Sequence, residues 1–594
     1  MLPDFRTALR GLARRPAFTL LVALTLALGI GANTAIFSVV SAVLLKPLPY
    51  AQSERLVNVH GLYPEFGRTG FSLPDFLDLR ERARSYTELA AMADGGGNLA
   101  TTGLPERVQL GFATGDFFRM LRVAPALGRL LGPEDERGPT GAVVLSYEAW
   151  QSRYQGDRAV LGRPVTIDGQ PYTVVGVAPR RVLSPGRVDF WLAERTDSVN
   201  PASRRSEYLA VVGRLRDGVS REQADREARA IMEQLAREYP QTNATFRAQV
   251  ASVQEDVVGK ARPALLVFMG AVGLVLLIAC ANVANLLLAR AAGREREVAI
   301  RAAMGASRGR IFRQLVIESL ALGLLGGAGG MLLAWFGTRL LRRSEIGDIP
   351  RLAEVTVDAR VLAFGILVSL ATGVLFGIVP ALRLSREELQ PSLRGSARGS
   401  TSGRVEGHLR GALVLAAVAL AVVLLVGAGL LLRSFEALRS TDPGFAAERV
   451  MIARVALPAA GYDSAARRRA FWQQLDERVR ALPGVQASGL ASTAPMSGAP
   501  YYSVVVEGRP DDPNAMDDAQ PYAVTPGYFE ALRIRLLKGR LLTAQDADGA
   551  PLVAVINGTM ASKFYPDRDP IGSRISFNGG ATWLTVVGIV GDTR

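Results

Sequence analysis

Cysteine, histidine and lysine are nearly absent from this 594-residue chain, and each absence closes off a kind of chemistry. A single cysteine, Cys280, excludes an intrachain disulfide and a cysteine metal cluster. The two histidines, His60 and His408, stand 348 positions apart and cannot make a multi-histidine metal centre. Only Lys46, Lys260, Lys538 and Lys563 are lysines; the other 65 of the 69 basic residues are arginine. The one Gly-Lys pair, Gly259-Lys260, is followed by alanine and has Gln254 where a phosphate-binding loop needs its first glycine. No serine or cysteine comes with a histidine arrangement to activate it. The acid runs Glu134-Asp135-Glu136 and Asp511-Asp512 sit in Gly/Pro-rich stretches and read as solvated surface.

What is abundant is apolar. Hydrophobic residues make up 49% of the chain, and the mean hydropathy is +0.18. The net charge of +14 invites a nucleic-acid reading, but a chain that is apolar on balance argues against one. The apolar residues are bunched into five stretches, 18–45, 263–289, 314–340, 361–382 and 411–432. Each is long enough for the ~20 helical residues that span ~30 Å of hydrocarbon. The first is about twice as long as the apolar core of a signal peptide and has no small-x-small site after it, so it reads as an uncleaved span.

Charge orients these spans. With the N-terminus cytoplasmic, the inner segments 1–17, 290–313 and 383–410 hold 17 arginines against six acidic residues, +11 within 69 residues. The short outer loop 341–360 has four arginines and four acids. That is the positive-inside asymmetry, and it places 46–262 and 433–594 outside. Phe5, Leu9 and Leu12 against Arg6, Arg10 and Arg14 make 1–17 amphipathic at helical spacing, as in a helix lying on the inner surface. The Gly/Ser/Arg-rich linker within 383–410 separates two halves.

The halves repeat. At an offset of 411, Thr114 falls on Thr525, Phe118 on Phe529, Leu121 on Leu532, Gly128-Arg129 on Gly539-Arg540 and Tyr154 on Tyr565. Single-residue slips then bring Leu161-Gly162 onto Ile571-Gly572 and YTVVGV from Tyr172 onto LTVVGI from Leu584. This implies duplication of a unit made of one span and one outside domain. The outside domains read as α/β (α+β). Residues 143–146, 165–168 and 172–177 are β-branched runs bounded by turn residues, and antiparallel pairing is expected. Residues 220–238 read as a helix with Ser220 and Gln223 in capping-box spacing and Pro240 beyond its end; 464–482 is taken as its counterpart.

The most specific run is CANVANLLLARAAGREREVAIRAAMGASRGRIFRQLVIESL, residues 280–320. It reads as a helix leaving the membrane, turning and re-entering. Glu297 and Arg301 pair at i,i+4, Gly305 can end one helix and Ser307 can cap the next. On these residues alone the elbow serves equally as a solvated turn or as a docking surface. The run resembles the FtsX/MacB-type permeases of ABC transporters. LTLALGIGANTAIFSVVSAVLLKPLPY (24–50) is similar to the duplicated MacB-like permeases of the acidobacterial-type orphan group. The resemblance covers essentially the whole chain. It departs from the family's pattern in lacking the last three spans, so the chain reads as a shortened eight-span design.

The resemblance implies five helical spans and two MacB-like periplasmic core domains in a bacterial inner membrane. It implies no cofactor on this chain, with ATP held by a separate cytoplasmic ABC ATPase. The elbow contacting that ATPase would comprise Arg294, Glu295, Arg296, Glu297, Ala299, Arg301, Gly305, Ala306 and Arg308. The lipid bilayer, a periplasmic adaptor or envelope protein, and a second copy in a dimer are the remaining partners expected; nucleic acid is not. The alternative is a non-transporting signalling or scaffold protein that regulates a periplasmic partner such as a cell-wall hydrolase. Within the membrane, Gly29 and Gly31, the overlapping pairs Gly323/Gly327 and Gly326/Gly330, and Gly373/Gly377 are candidate helix contacts. Asn33, Asn282 and Asn285 are expected to hydrogen-bond between helices. Glu318 is expected to pair with Arg310 or Arg313.

Overall fold

The computed structural model describes residues 10, 12–64, 67–100, 105–137, 141–180, 182–184, 186–197, 201–259, 261–292, 308–343, 351, 354–386, 402–457, 461–497, 502–509, 518–578 and 580–593. The chain divides into two compact units, Met1–Glu54 with Ala251–Glu436, and Arg55–Val250 with Ala437–Arg594.

The first unit is helical. α1 (Pro16–Val40) runs on as one π turn (Ser41–Leu45); α2 (Arg262–Ala292), α3 (Arg308–Arg343), α4 (Ala359–Arg386) and α5 (Ser402–Ser440) follow. Pro16 opens α1 at a position where its missing N–H costs nothing. Segments Pro16–Leu45, Arg262–Arg290, Phe312–Arg342 and Arg410–Ser440 are long and apolar enough to cross a membrane, and α4 is apolar over Ala359–Leu375. The interior of the group is lined by Val22, Leu26, Ile30, Cys280, Val283, Ala321 and Leu322. Leu12, from the amphipathic segment, is buried in the same cluster, so at this position the segment enters the bundle. Most of the expected helix at 1–17 lies outside the described residues. Outward faces carry bare leucine and valine, such as Leu28, Leu332, Leu415 and Leu425, each more than 60% exposed. A surface like that suits hydrocarbon and would be untenable in water.

The second unit contains both outside domains. In the first, an eleven-stranded sheet has the path β11-β1-β10-β3-β4-β9-β6-β8-β5, with β2 on β1 and β7 beside β3 and β8. These strands are β1 Leu56–Tyr63, β2 Gly67–Thr69, β3 Tyr86–Leu99, β4 Glu106–Ala113, β5 Leu127–Gly128, β6 Ala142–Leu145, β7 Pro164–Ile167, β8 Gln170–Val177, β9 Phe190–Ala193, β10 Ala210–Leu215 and β11 Arg247–Ser252. One core gathers Phe71, Phe76, Val211 and Phe246 under the helix Arg221–Glu238, which buries Ala224, Ala228, Ile231, Met232 and Leu235. Ser220 and Gln223 close a reciprocal capping box at its start. A second core forms around Val143, Val174, Phe190 and Leu192. Pairing is not wholly antiparallel: β4 with β9 and β6 with β8 run parallel. The crossover from β6 to β8 includes the helix Tyr147–Tyr154 and is long enough to bring the chain back to its starting edge.

The second domain has a pair, β12 (Tyr502–Ser503) with β14 (Asp518–Ala519). It also has a sheet β13-β17-β18-β15 with β16 on β18. Those strands are β13 Val505–Val506, β15 Leu536–Gly539, β16 Val553–Asn557, β17 Arg574–Ser576 and β18 Leu584–Val590. The duplication is visible atom by atom. The parallel pairs β6/β8 and β16/β18 change register at Val143/Val144 and at Ala554/Val555, the same place at the 411 offset. Arg129 forks onto Asp135 at 2.6 and 2.9 Å, and Arg540 onto Asp546 at 2.7 and 2.8 Å. Gly128 and Gly539 each sit at positive φ, +66° and +77°, against a carbonyl oxygen of the neighbouring strand that a side chain would strike.

Two sequence readings need correction. The helix Ala465–Arg480, capped by Ser464, is the counterpart of Leu73–Arg82 and not of Arg221–Glu238. After each of the former two the chain brings a backbone N–H, of Ala91 in β3 or of Leu490, to the repeated threonine hydroxyl, Thr114 or Thr525, at 2.9 Å. Of the run Glu134-Asp135-Glu136, only Glu134 is solvated. Asp135 is buried under Arg129. Glu136 is buried too, accepting from the Gly115 amide, Arg80 and Thr196. Burial alone would raise the Asp135 carboxyl, but the Arg129 guanidinium and the Gly132 amide outweigh it and hold the group below the usual range. Glu136 looked like loop acid because its partners lie 21 to 60 residues away in sequence, whereas the Arg129 partner of Asp135 is only six residues before it. Asp511-Asp512 lies outside the described residues.

Candidate functional site in the helix bundle

The elbow residues Arg294, Glu295, Arg296, Glu297, Ala299, Arg301, Gly305 and Ala306 lie outside the described residues; Arg308 opens α3. The described structure shows how the helices that flank this elbow are held.

Next to the elbow, Arg290 near the end of α2 reaches Glu318 of α3, Nη2 to Oε1 at 2.9 Å, with both side chains buried. The same guanidinium lies 4.7 Å from the Phe18 ring centroid of α1, so one cation joins three helices. This corrects the expected partners. Along one helix, Arg313 and Arg310 are five and eight residues from Glu318, roughly 140° and 80° round the axis, away from the facing i,i±3 and i,i±4 positions. Arg290 comes from the neighbouring helix, and the signal for it was an arginine on the last turn of one span opposite an acid inside the next.

The small residues divide α3 between two neighbours. A Cβ on Gly323 would lie 2.6 Å from Ser369 O, and one on Gly327 2.0 Å from Ser369 Oγ. From α4, a Cβ on Gly373 would lie 3.0 Å from Leu320 Cα and one on Gly377 2.9 Å from Ser319 Cβ. A Cβ on Gly330 would lie 2.9 Å from Gly31 N, and one on Gly326 2.5 Å from Leu26 Cβ, both in α1. At about 100° per residue, the two glycine pairs of α3 point roughly 60° apart. That is the angle between neighbours when three helices pack as a triangle. The third side closes where Phe37 of α1 stacks on Phe364 of α4, centroids 3.9 Å apart. Gly29, on another side of α1, meets Leu276 of α2.

Asn33 is buried and donates from Nδ2 to Gly29 O at 2.9 Å and across to Val272 O of α2 at 2.7 Å. Asn282 does not repeat this, being exposed on the outer face of α2. Asn285 is half-buried, and its enclosed Oδ1 has no hydrogen-bond partner among the described residues. All three asparagines looked alike because helical phase, which decides which one faces a neighbour, depends on where the neighbours sit. Among the described residues no three His, Cys, Asp or Glu side chains are grouped to hold a metal.

The profile of the MacB-like periplasmic core domain matches residues 19–231 and again 412–594, one match in each half of the duplication. The chain belongs to the MacB-like periplasmic core domain family. The FtsX-like permease C-terminal profile matches 269–389, which takes in α2, the elbow, α3 and α4. Over 271 residues the chain is 28% identical to the pyoverdine export ATP-binding/permease protein PvdT of Pseudomonas syringae pv. tomato, covering 44% of this chain and 39% of that one. It is 30% identical over 240 residues to the ABC transporter permease YknZ of Bacillus subtilis, covering 39% and 57%. With the macrolide export ATP-binding/permease protein MacB of Hahella chejuensis the identity is 26% over 274 residues, covering 46% and 40%. The chain thus spans about two-fifths to three-fifths of these relatives' length. The crystal structure of the periplasmic region of MacB from Actinobacillus actinomycetemcomitans aligns with a TM-score of 0.28 at 14% identity, over 35% of this chain and 94% of that one. By its two family matches and its apolar helices, the protein is a membrane protein that joins FtsX-like helices to two MacB-like periplasmic core domains.

Proposed function

We propose that this chain is the membrane subunit of an ABC exporter, driven by an ATPase carried on another polypeptide. The observation that carries the reading is the joining, in one chain, of a duplicated MacB-like outside domain to an FtsX-like helical segment. The export proteins among its relatives bear names that pair this architecture with ATP binding. ATP would be held by the partner. This chain would carry no catalytic step, in keeping with its want of a phosphate loop and of an activated nucleophile.

In this reading the N-terminus and the segments 290–313 and 383–410 face the cytoplasm of the inner membrane, as their +11 charge favours. The ATPase docks on Arg294, Glu295, Arg296, Glu297, Ala299, Arg301, Gly305, Ala306 and Arg308. Nucleotide-driven movement of that elbow reaches α2 and α3 directly. Because Arg290, Glu318 and the glycine contacts bind these helices to α1 and α4, the four helices shift together, and the motion passes along the chain to the outside domains.

The test is co-purification of the full chain with ABC ATPases from its own cell. One or more ATPases should be retained, and Arg301→Glu should reduce the retained amount at least tenfold. Equal recovery with Arg301→Glu, or no ATPase at all, would sink the proposal.

A further inference from the structure

The elbow joins the end of α2 to the start of α3, so the end of α3 and the start of α4 mark the opposite end of the bundle. There a second buried arginine gathers several helix ends. Arg351 has a left-handed backbone, φ +63°, an uncommon conformation for a residue other than glycine. Its Nη1 donates to Lys46 O at 2.7 Å and its Nη2 to Pro47 O at 3.1 Å. Nη2 and Nε also hold Glu354 Oε2 at 2.7 and 3.2 Å. The two side chains are only 7% and 10% exposed.

Lys46 and Pro47 directly follow the π turn that ends α1, where helix carbonyls run out of intrahelical donors and carry partial negative charge. Leu44 O, inside that turn, accepts from Gln254 of the short helix Val253–Val258 that precedes α2. Val355 is fully buried among Val39, Val43, Val258 and Leu265, with Leu341 of α3 alongside. Asp358 Oδ1 then caps α4, accepting from the amides of Arg360 and Val361 at 3.1 Å. Arg351 thus holds the exit of α1, while Glu354, Val355 and Asp358 lead into α4. From that exit, residues 47–55, with Pro47 and Pro49 among them, lead in sequence to β1 of the first outside domain.

We propose that Arg351 is a positioning residue whose guanidinium latches the α3–α4 connection to the exit of α1, so that these helices and the root of the first outside domain move as one body. The latch deepens the proposed function and rests on it for its purpose. Glu354 orients the guanidinium, while the Lys46 and Pro47 carbonyls are what it holds. The ion pair and the latch are therefore separable.

The experiment uses the full chain in lipid nanodiscs without any ATPase, in a Cys280→Ser background. Spin labels go at Glu54→Cys, on the root, and Leu362→Cys, on α4, both exposed positions. A control pair, Leu21→Cys on α1 and Leu333→Cys on α3, reports bundle integrity. Arg351→Ala should at least double the width of the root distance distribution and leave the control pair unchanged. Arg351→Lys, which keeps one cationic donor, should give an intermediate width and serves if the alanine variant does not fold. The exchanged pair Arg351→Glu/Glu354→Arg restores opposite charges but removes the donors from Lys46 and Pro47; it should recover thermal stability while the width stays broad. An unchanged width in Arg351→Ala, or recovery of both properties by the exchange, would overturn the latch. Because no ATPase is present, failure here is distinct from failure of the co-purification test.

Discussion

Replacing Arg290 and Glu318 singly and together tests whether the cation at the elbow end is a structural knot. Removing one member of a buried pair commonly costs about 3–5 kcal/mol, while replacing both with apolar residues is near neutral. The two positions should differ. Arg290 is two residues from Ala292, the last described residue of α2, and its long side chain can turn toward the interface if left alone. Glu318 lies ten residues beyond Arg308, about 15 Å along α3, on a side chain too short to reach water. Glu318→Leu should therefore cost about 1–2 kcal/mol, and Arg290→Met, which also loses the Phe18 contact, about 3–4 kcal/mol. The double variant should unfold within about 1 kcal/mol of the parent, a coupling of roughly 4–6 kcal/mol. Reversible SDS unfolding of the full chain in mixed micelles, followed by helicity, gives all three values. If the single costs add within about 0.5 kcal/mol, the two side chains do not hold each other and the reasoning is wrong.

Three further outcomes are expected. Gly330→Val should push α1 from α3, since its Cβ would start 2.9 Å from Gly31 N; a loss of about 1–3 kcal/mol in the same SDS titration is expected, with Gly337→Val, whose Cβ meets nothing, as the neutral control. In the first outside domain Arg204 is buried against Asp75 and Asp78 and stacked 3.6 Å from the Tyr239 ring. Arg204→Ala should lower that domain's stability by about 3–5 kcal/mol in urea, and a cost below about 1 kcal/mol would contradict the network. Burial raises the Glu207 carboxyl, even though the Tyr63 and Thr69 hydroxyls donate to it and oppose the rise. Its folded pKa lies above its unfolded one, so its contribution is complete below about pH 4.3 and is lost as pH climbs through the folded value. Glu207→Gln should flatten that decline, and an unchanged pH profile of urea midpoints would rule the group out.

Much of the architecture was legible because it rests on local or repeated signals. The long apolar runs appear as α1 to α5, and Ser220 with Gln223 marked a helix start because a capping box is satisfied within four residues. The 411 offset foretold a shared fold down to the Arg129–Asp135 and Arg540–Asp546 forks. Legibility stopped where a partner comes from elsewhere in the chain. Glu136 looked solvated, Glu318 seemed to belong with its own helix, and Arg351 stood in a loop with balanced charge.

By itself, then, the sequence determined where the long apolar helices lie, the clustering of arginine between them and the doubling of the outside domain. Each of these depends on composition or on spacing along the chain, and no fold is needed to express it. Tertiary structure alone decided which face of each helix is a contact. Gly323 and Gly326 stand three residues apart on one helix yet serve different neighbours, and Asn33 crosses to α2 while Asn282 faces outward. A helix presents every side chain somewhere, and only the arrangement of its neighbours settles which meets protein and which meets lipid. The buried arginines follow the same rule. Arg290 and Arg351 hold several chain segments at once because folding places carboxylates, carbonyls and a ring within reach of one guanidinium.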